Sequence, residues 1–441
     1  MGEALITDQP QADRLQREQA KLELFSLAAT LLFVNGQTTE RTVEATVRLA
    51  RRLGCQASLL PHWSHLTLVI AGDAGARIEV VAASPLGVDM ARVVATGDVI
   101  DQLCDGQVDA ESARAKLAAI RHRAPVALAR FALLAAAGAA ALGVIFGAAD
   151  WLSLGLIALI AGAGAVLRRW LAGRSSNPFV QPFCAALLAG AAGAAAVRLQ
   201  LNAMQDLIAI CPCMVLVPGP HLLNGAIDLA RARIALGASR MLYASIIIVM
   251  ICTGLLGGLA LGGIALPVSA PSSPVPLLYD VIAAGVAVAA YGTFFDMPWR
   301  MLPIPIAIGM AAHASRWAAI ALAGASVETG AFVACLLVGI VTTPIADRLR
   351  LPFAAFAFAS VVSLIPGIFL FRMGGGLVAL GTLGGKASPA LLLATIADGS
   401  TAMLVILVMA FGLIFPKLLI EGVFPDIAGY RRQRRRPLVP R

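Results

Sequence analysis

Two proline–glycine pairs, Pro218-Gly219 and Pro366-Gly367, interrupt long apolar runs within Leu216-Val217-Pro218-Gly219 and Leu364-Ile365-Pro366-Gly367. They stand 148 residues apart (366 − 218). Proline removes a backbone donor and clashes with the preceding turn, while glycine tolerates non-helical backbone. In a bilayer, unwound backbone persists only where protein or a water-filled cavity satisfies it. Interrupted spans at matching positions of two halves therefore point to a solute site. One break alone reads equally well as an ordinary kink. The repeat favours the site.

Polar residues gather beside the first break. Asp206 precedes it, and His221, Asn224 and Asp228 follow it, with His221 and Asp228 two helical turns apart on one face. The second break is flanked by Ser363 and otherwise apolar residues. Pro218, Gly219, His221, Asn224, Asp228, Ser363, Pro366 and Gly367 are thus the expected substrate-binding set. The first break would make the polar contacts, and the second would supply backbone and movement. Asp398, within Ile396-Ala397-Asp398-Gly399-Ser400-Thr401, reads as a carboxylate buried at membrane depth and is the expected proton carrier. Asp280 and Asp296 read as markers of span ends, and His313 as a packed or lumen-facing histidine. Thr342 and Thr343 suit hydrogen bonds to their own helix. Lys386 falls in a Gly-rich stretch, 374–389, that reads as an external loop.

The elements that must position these groups follow from composition. The chain has 441 residues, 59% hydrophobic and 13% charged, with a mean hydropathy of +0.84. Soluble domains carry about 25% charged residues, so most of this chain belongs in a membrane. The deficit begins near Pro125. The expected divisions are a cytoplasmic α+β domain over 1–123, membrane repeats over 124–266 and 277–416, and a basic cytoplasmic tail over 417–441. The first 20 residues hold no apolar core, which predicts no cleavable signal peptide and a cytoplasmic N-terminal domain.

Ten candidate spans run about 125–147, 151–168, 179–198, 206–227, 241–264, 278–296, 301–322, 329–346, 352–371 and 390–415. With a cytoplasmic N-terminus the inside loops carry nine cations: Arg168, Arg169, Arg174, Arg231, Arg233, Arg240, Arg300, Arg348 and Arg350. The outside loops carry four: Arg198, Arg316, Arg372 and Lys386. The excess puts both termini in the cytoplasm. The Pro/Ser-rich segment 267–276 suits an external linker. Five spans per half make the halves opposite in orientation, an inverted repeat around a midplane site. The fold class expected is membrane all-α, preceded by the small α+β domain.

In that domain, residues 12–34 read as a helix stopped by Asn35-Gly36, and Thr38 or Thr39 caps the next helix. Strand-like runs follow at 56–60, 65–71 and 76–83, then helices near 88–104 and 109–122. Asp98, Asp101, Asp105 and Asp109 read as a solvated acidic face, and His62 with His65 as a solvated turn rather than a metal site. Cys211-Pro212-Cys213 lacks the spacing of a zinc or redox motif. The net charge of +9 owes much to Arg431, Arg432, Arg434, Arg435, Arg436 and Arg441, which suit anionic lipid heads better than nucleic acid. No phosphate-binding Gly-x-x-x-x-Gly-Lys-[Ser/Thr] motif occurs. No cofactor or metal is expected.

Leu216-Val217-Pro218-Gly219-Pro220-His221-Leu222-Leu223-Asn224-Gly225-Ala226-Ile227-Asp228-Leu229 resembles the signature of the threonine/serine exporter family of bacterial inner-membrane proteins. Asn35-Gly36-Gln37-Thr38-Thr39-Glu40-Arg41 resembles that family's Gly-x-x-Thr-x-Arg segment. Glu44 falls one position later than the family pattern, and His221 and Arg372-Met373-Gly374-Gly375-Gly376 also depart from it. The resemblance covers nearly the whole chain and implies a cytoplasmic domain before ten spans in two related halves, here fused. It further implies export of L-threonine or L-serine across the inner membrane, driven by the proton motive force. Split relatives associated with succinate make dicarboxylate export the alternative. A membrane-anchored sensor or enzyme acting through the N-terminal domain is the alternative of another class, though no catalytic cluster is visible there. The expected partners are the small-molecule substrate, protons and membrane lipid, with a second copy of the chain left open.

Overall fold

The computed structural model describes residues 9–72, 75–201, 204–265, 275–348 and 353–423. The expected linker from 267 to 274, Arg350 and the arginine-rich tail from 424 onward lie outside them. The chain divides into two compact units: Met1–Pro125 with Asp228–Ser239, and Val126–Ile227 with Arg240–Arg441.

The first unit begins with α1 (Gln9–Val34) and α2 (Thr39–Arg52), separated by the expected stop, where Gly36 takes φ +92° and Asn35 Nδ2 donates to the Leu31 carbonyl at 2.7 Å. Strands β1 (Gln56–Pro61), β2 (His65–Gly72) and β3 (Gly75–Ala82) form an antiparallel sheet in that order. Period-two alternation buries Leu59, Leu66, Leu68 and Ile70 on one face and leaves Leu60, Ile78 and Val80 exposed on the other. Helices α3 (Met90–Cys104) and α4 (Ala110–Arg121) follow. The acidic stretch is not merely solvated. Asp101 pairs with Arg48, and Asp109 caps α4 by accepting from the Ser112 amide at 2.8 Å. Thr38 occupies the N-cap of α2 without a side-chain capping bond. His62 and His65 stack at 4.5 Å, and no metal-ligating cluster occurs among the described residues.

The second unit is helical: α5 (Leu128–Ile145), α6 (Trp151–Ala172), α7 (Val180–Arg198), α8 (Gln205–Met214), α9 (Gly219–Ala230), α10 (Ile234–Leu261), α11 (Leu277–Phe294), α12 (Pro303–Ala321), α13 (Val327–Arg348), α14 (Phe353–Val361), α15 (Gly367–Leu383) and α16 (Pro389–Val423). The ends of α9 and α10 that meet at the Asp228–Ser239 turn belong to the first unit. Among the described residues, eight helices are long and apolar enough to span a membrane, or nine with α8 and α9 taken as one bent span. Ten were expected. The seventh expected span, α12, carries His313, Arg316 and Trp317 and is not among the eight or nine.

The ninth expected span, 352–371, is broken at its centre, because α14 stops at Val361 and α15 starts at Gly367. The Gly-rich stretch expected as an external loop instead continues α15 to Leu383. Away from water, only the helix satisfies those backbone groups, and Gly376 packs on Thr395 of α16. Arg372, and likewise Arg316 on α12, therefore sit within helices rather than outside loops. The tenth span is longer than expected, continuing through Pro416 to Val423.

The starts of α11 to α16 follow those of α5 to α10 by 147 to 155 residues, with 148 for both α8/α14 (353 − 205) and α9/α15 (367 − 219). Close helix approaches recur at matching places. A Cβ on Gly190 of α7 would fall 2.1 Å from the Leu255 carbonyl oxygen on α10, and one on Gly339 of α13 would fall 2.7 Å from that of Gly412 on α16. Small residues at such contacts let helices pack closely without a hydrophobic drive.

Candidate functional site

Both proline–glycine pairs fold into the same turn. The Gly219 amide donates to the Val217 carbonyl at 2.9 Å, and that of Gly367 to the Ile365 carbonyl at 2.8 Å. Each proline is thus the centre of a three-residue turn, and Pro366, at φ −78° and ψ 44°, is close to an inverse γ-turn. Each glycine then opens a helix, and the prolines' own carbonyls accept the first bonds, from Leu222 and Leu370. Helical bonding stops at each turn. Between α8 and α9 the axis bends by 54°.

The two breaks pack against each other's helices. Gly219 lies against the Phe358 ring of α14, and Gly367 lies against Met214, the last residue of α8. Stopping α8 frees carbonyls, and Tyr291 of α11 donates its hydroxyl to that of Met214 at 2.7 Å. Tyr291 is itself 2% exposed. The loss of helical bonding at the first break is therefore met from a helix of the other half.

The structure brings polar groups to the second break that do not neighbour it in sequence. His313 of α12, fully buried, bonds Asp280 Oδ2 through Nδ1 at 2.9 Å and Ser363 Oγ through Nε2 at 2.6 Å. Asp280 and Ser363 are each 3% exposed. With Asp280 ionised, Nδ1 carries the ring proton and Nε2 accepts from the Ser363 hydroxyl. A second proton would sit on Nε2, beside the serine oxygen. Arg316, one turn along α12, lies within the electrostatic reach of Asp280. Asp280 lies in the first turn of α11, at the end of that span as expected, and there it also bonds His313.

The expected residues are only partly assembled. Pro218, Gly219, Pro366, Gly367 and Ser363 meet at the breaks. His221 and Asn224 are buried on the first turns of α9, with the His221 ring edge-on to Tyr243 at 5.1 Å. Asp228 is engaged by residues of the first unit. Its carboxylate accepts from the Thr39 hydroxyl at 2.9 Å and from Arg233 at 3.3 Å, while neighbouring Arg231 pairs with Glu40. Asp398, expected to be buried, is half-buried on α16. Asp206 and Arg372 pair at 3.8 Å. Thr343 donates to the Gly339 carbonyl of its own helix at 2.6 Å, as expected.

A chamber of about 190 Å³ opens between the ends of α5, α6, α7 and α11, lined by Phe131, Arg168, Arg169, Gln181, Thr293 and Asp296, among others. A second cavity of about 10 Å³, room for roughly one water, lies against Val215 and Leu216 of the first break and shares Arg168 and Phe294 with the chamber. Asp280 and His313 were read from sequence as a span-end marker and a packed or lumen-facing histidine, Arg168 as a loop cation, and Tyr291 was not singled out. The signal for the first two was present, since ionisable residues inside apolar segments are functional candidates by default.

A threonine/serine exporter family model, ThrE, matches residues 23–262, and a second, "Threonine/Serine exporter, ThrE", matches residues 280–419. No solved structure matches the chain. The matches cover both the N-terminal unit and the helical unit, and each takes in one break. The chain belongs to the threonine/serine exporter family, and is a multi-pass membrane protein of transport.

Proposed function

We propose that this member of the threonine/serine exporter family moves L-threonine or L-serine out of the cell in exchange for protons, through a path that passes both helix breaks. The observation that carries the reading is the pair of proline-centred turns closed by the same hydrogen bond and packed reciprocally, Gly219 on Phe358 and Gly367 on Met214. Each turn starts a helix, and a helix N-terminus presents free amides and a positive dipole end to a carboxylate. The carbonyls left at the end of α8 suit an ammonium group. The matching element offsets and matching glycine contacts support two inverted halves around this midplane.

The proton passes through His313. Its imidazole lies between Asp280 and Ser363 at the second break, and an imidazole can change charge near neutral pH where an isolated buried carboxylate resists it. Half-buried Asp398 is the less suitable carrier. The order acid–imidazole–hydroxyl is also that of hydrolases, but a hydrolase needs water at its serine, and Ser363 is 3% exposed. Cytoplasmic termini and an inner-membrane location follow from the cationic loops and complete the reading.

Counterflow in proteoliposomes with labelled threonine, serine and succinate is the test. Exchange of threonine or serine, with net efflux accelerated by acid on the receiving side, is expected. Exchange of succinate alone would replace the substrate, and efflux indifferent to the pH gradient would remove the proton.

A further inference from the structure

We infer that the chamber at the ends of α5, α6, α7 and α11 is a loading site for a zwitterion, in which Arg168 takes the carboxylate and Asp296 the ammonium; this deepens the exporter reading and rests on it. Arg168 stands between the chamber and the small cavity against Val215 and Leu216, and lines both. Its Nε and Nη1 are buried and have no hydrogen-bond partner among the described residues. An unpaired buried donor costs the full desolvation of the group, more so when charged, unless something arrives to bind it.

The other cations of this region are committed. Arg169 donates to the Val126 carbonyl at 2.9 Å, and Arg372 pairs with Asp206. Arg316, which stands 148 residues after Arg168 (316 − 168), has Asp280 within its field. Arg168 has an aromatic face instead of an acid. Its guanidinium lies 4.6 Å over the centre of the Phe294 ring, which orients the planar fork and leaves its edge for a bidentate carboxylate.

Asp296 lines the same chamber and has a left-handed backbone, φ +54°, with Oδ1 accepting from the Val126 amide at 3.1 Å. One chamber thus carries a cation awaiting an anion and a carboxylate held in place. That pairing suits an amino acid and disfavours a dicarboxylate, whose second charge would meet Asp296. The cationic end of α6 is cytoplasmic under the positive-inside rule, the side from which an exporter loads. The cavity beyond Arg168 holds roughly one water, so onward passage to the first break requires the helices to part there.

The test uses the full chain in proteoliposomes and three probes: L-threonine, L-threonine amide without the carboxylate, and 3-hydroxybutyrate without the ammonium. Arg168→Gln should raise the threonine KM about tenfold or more, the loss expected of a charge-assisted bond, and should erase the preference over the amide. Arg168→Lys should restore part of it. Asp296→Asn should weaken threonine while sparing 3-hydroxybutyrate. An unchanged KM in Arg168→Gln, or an equal rise for threonine and its amide, overturns the assignment.

A wild-type protein that moves succinate but no amino acid would sink the exporter reading's substrate and the Asp296 role. An Arg168→Gln defect toward succinate would still uphold the arginine. Thermal stabilisation of the detergent-solubilised protein by the same probes reads binding without transport. Stabilisation of the wild type by threonine that Arg168→Gln abolishes supports the site, and none in the wild type overturns it. An Arg168→Gln defect that vanishes in liposomes lacking phosphatidylglycerol would make a lipid phosphate the ligand and likewise overturn it.

Discussion

Replacing Gly219 with alanine isolates the packing of one break on the other half. Gly219 is not among the positive-φ glycines, so the backbone accepts alanine and only the added methyl matters. That methyl would fall 1.5 Å from the Phe358 ring, less than half an ordinary van der Waals separation. The ring cannot swing clear, because it is 4% exposed and wedged by Phe295 at 5.8 Å and Tyr291 at 6.4 Å. Overpacking of this kind costs about 1–3 kcal/mol, and a trapped ring places it near ~3 kcal/mol. Alanine's better helix propensity returns at most about 1 kcal/mol, leaving a net loss near ~2 kcal/mol. Denaturant unfolding in detergent should read it directly.

Phe358→Ala alone should cost about 3–5 kcal/mol through the cavity it leaves. In the double variant the new methyl partly refills that cavity, so the combined loss should fall short of the sum by ~2 kcal/mol or more. Additive losses, within about 0.5 kcal/mol, would refute the reciprocal packing of the breaks. Gly367→Ala is the internal control. Its methyl would sit 3.0 Å from the Met214 side chain, which is flexible, so the cost should stay below about 1 kcal/mol.

His313→Gln should preserve threonine counterflow, which moves no net proton, while acid-driven efflux falls about tenfold or more; Asp398→Asn should leave both intact, and the reverse pattern would return the proton to Asp398. Asp228→Ala should destabilise the first unit by about 1–3 kcal/mol, since it orphans the buried Thr39 hydroxyl, whereas Asp228→Asn retains an acceptor; limited proteolysis reads the difference, and a raised threonine KM in Asp228→Asn would put Asp228 back at the solute site. Asp98 is exposed, yet partial desolvation by its neighbours, and then the charge of Asp101, raise its carboxyl above the ordinary value. A raised folded-state value means a stabilising contribution that is present in acid and lost as pH rises through it, so Asp98→Asn should stabilise the protein at neutral pH, with the advantage fading toward pH ~4.

The first unit was legible almost element by element. Asn35-Gly36 stops a helix through glycine's positive φ, and alternation marks the strands, because both signals are local. The helical unit was legible in its breaks and less so in its boundaries. At 374–383 glycines read as a loop, since glycine weakens a helix in water. In a non-aqueous environment the same residues have no competing solvent, and close packing on α16 decides. At α12, expected as the seventh span, His313 and Arg316 lower the mean hydropathy, and the group nearest to both in charge, Asp280, lies inside the protein rather than in water.

The surroundings of the two breaks were legible only in part, for a related reason. Polar residues near the first break in sequence suggested that it held the chemistry, leaving the second to backbone and motion. In space the second break is the richer in ionisable partners, but they come from elsewhere: His313 lies 50 residues before Ser363, and Asp280 lies 33 before His313. Meanwhile Asp228, nine residues beyond Gly219, is committed to Thr39 of α2. An unwound turn exposes backbone groups in every direction around it, so what reaches it is set by the neighbouring helices as much as by its own flanks. Asp280 and His313 could have been paired from sequence only by asking which buried charge would neutralise which. Each is costly alone at membrane depth, and the one arrangement that satisfies both is mutual. The same accounting singles out Arg168, which has the Phe294 ring beside it but no hydrogen bond to its buried Nε and Nη1, bonds that a solute carboxylate would supply.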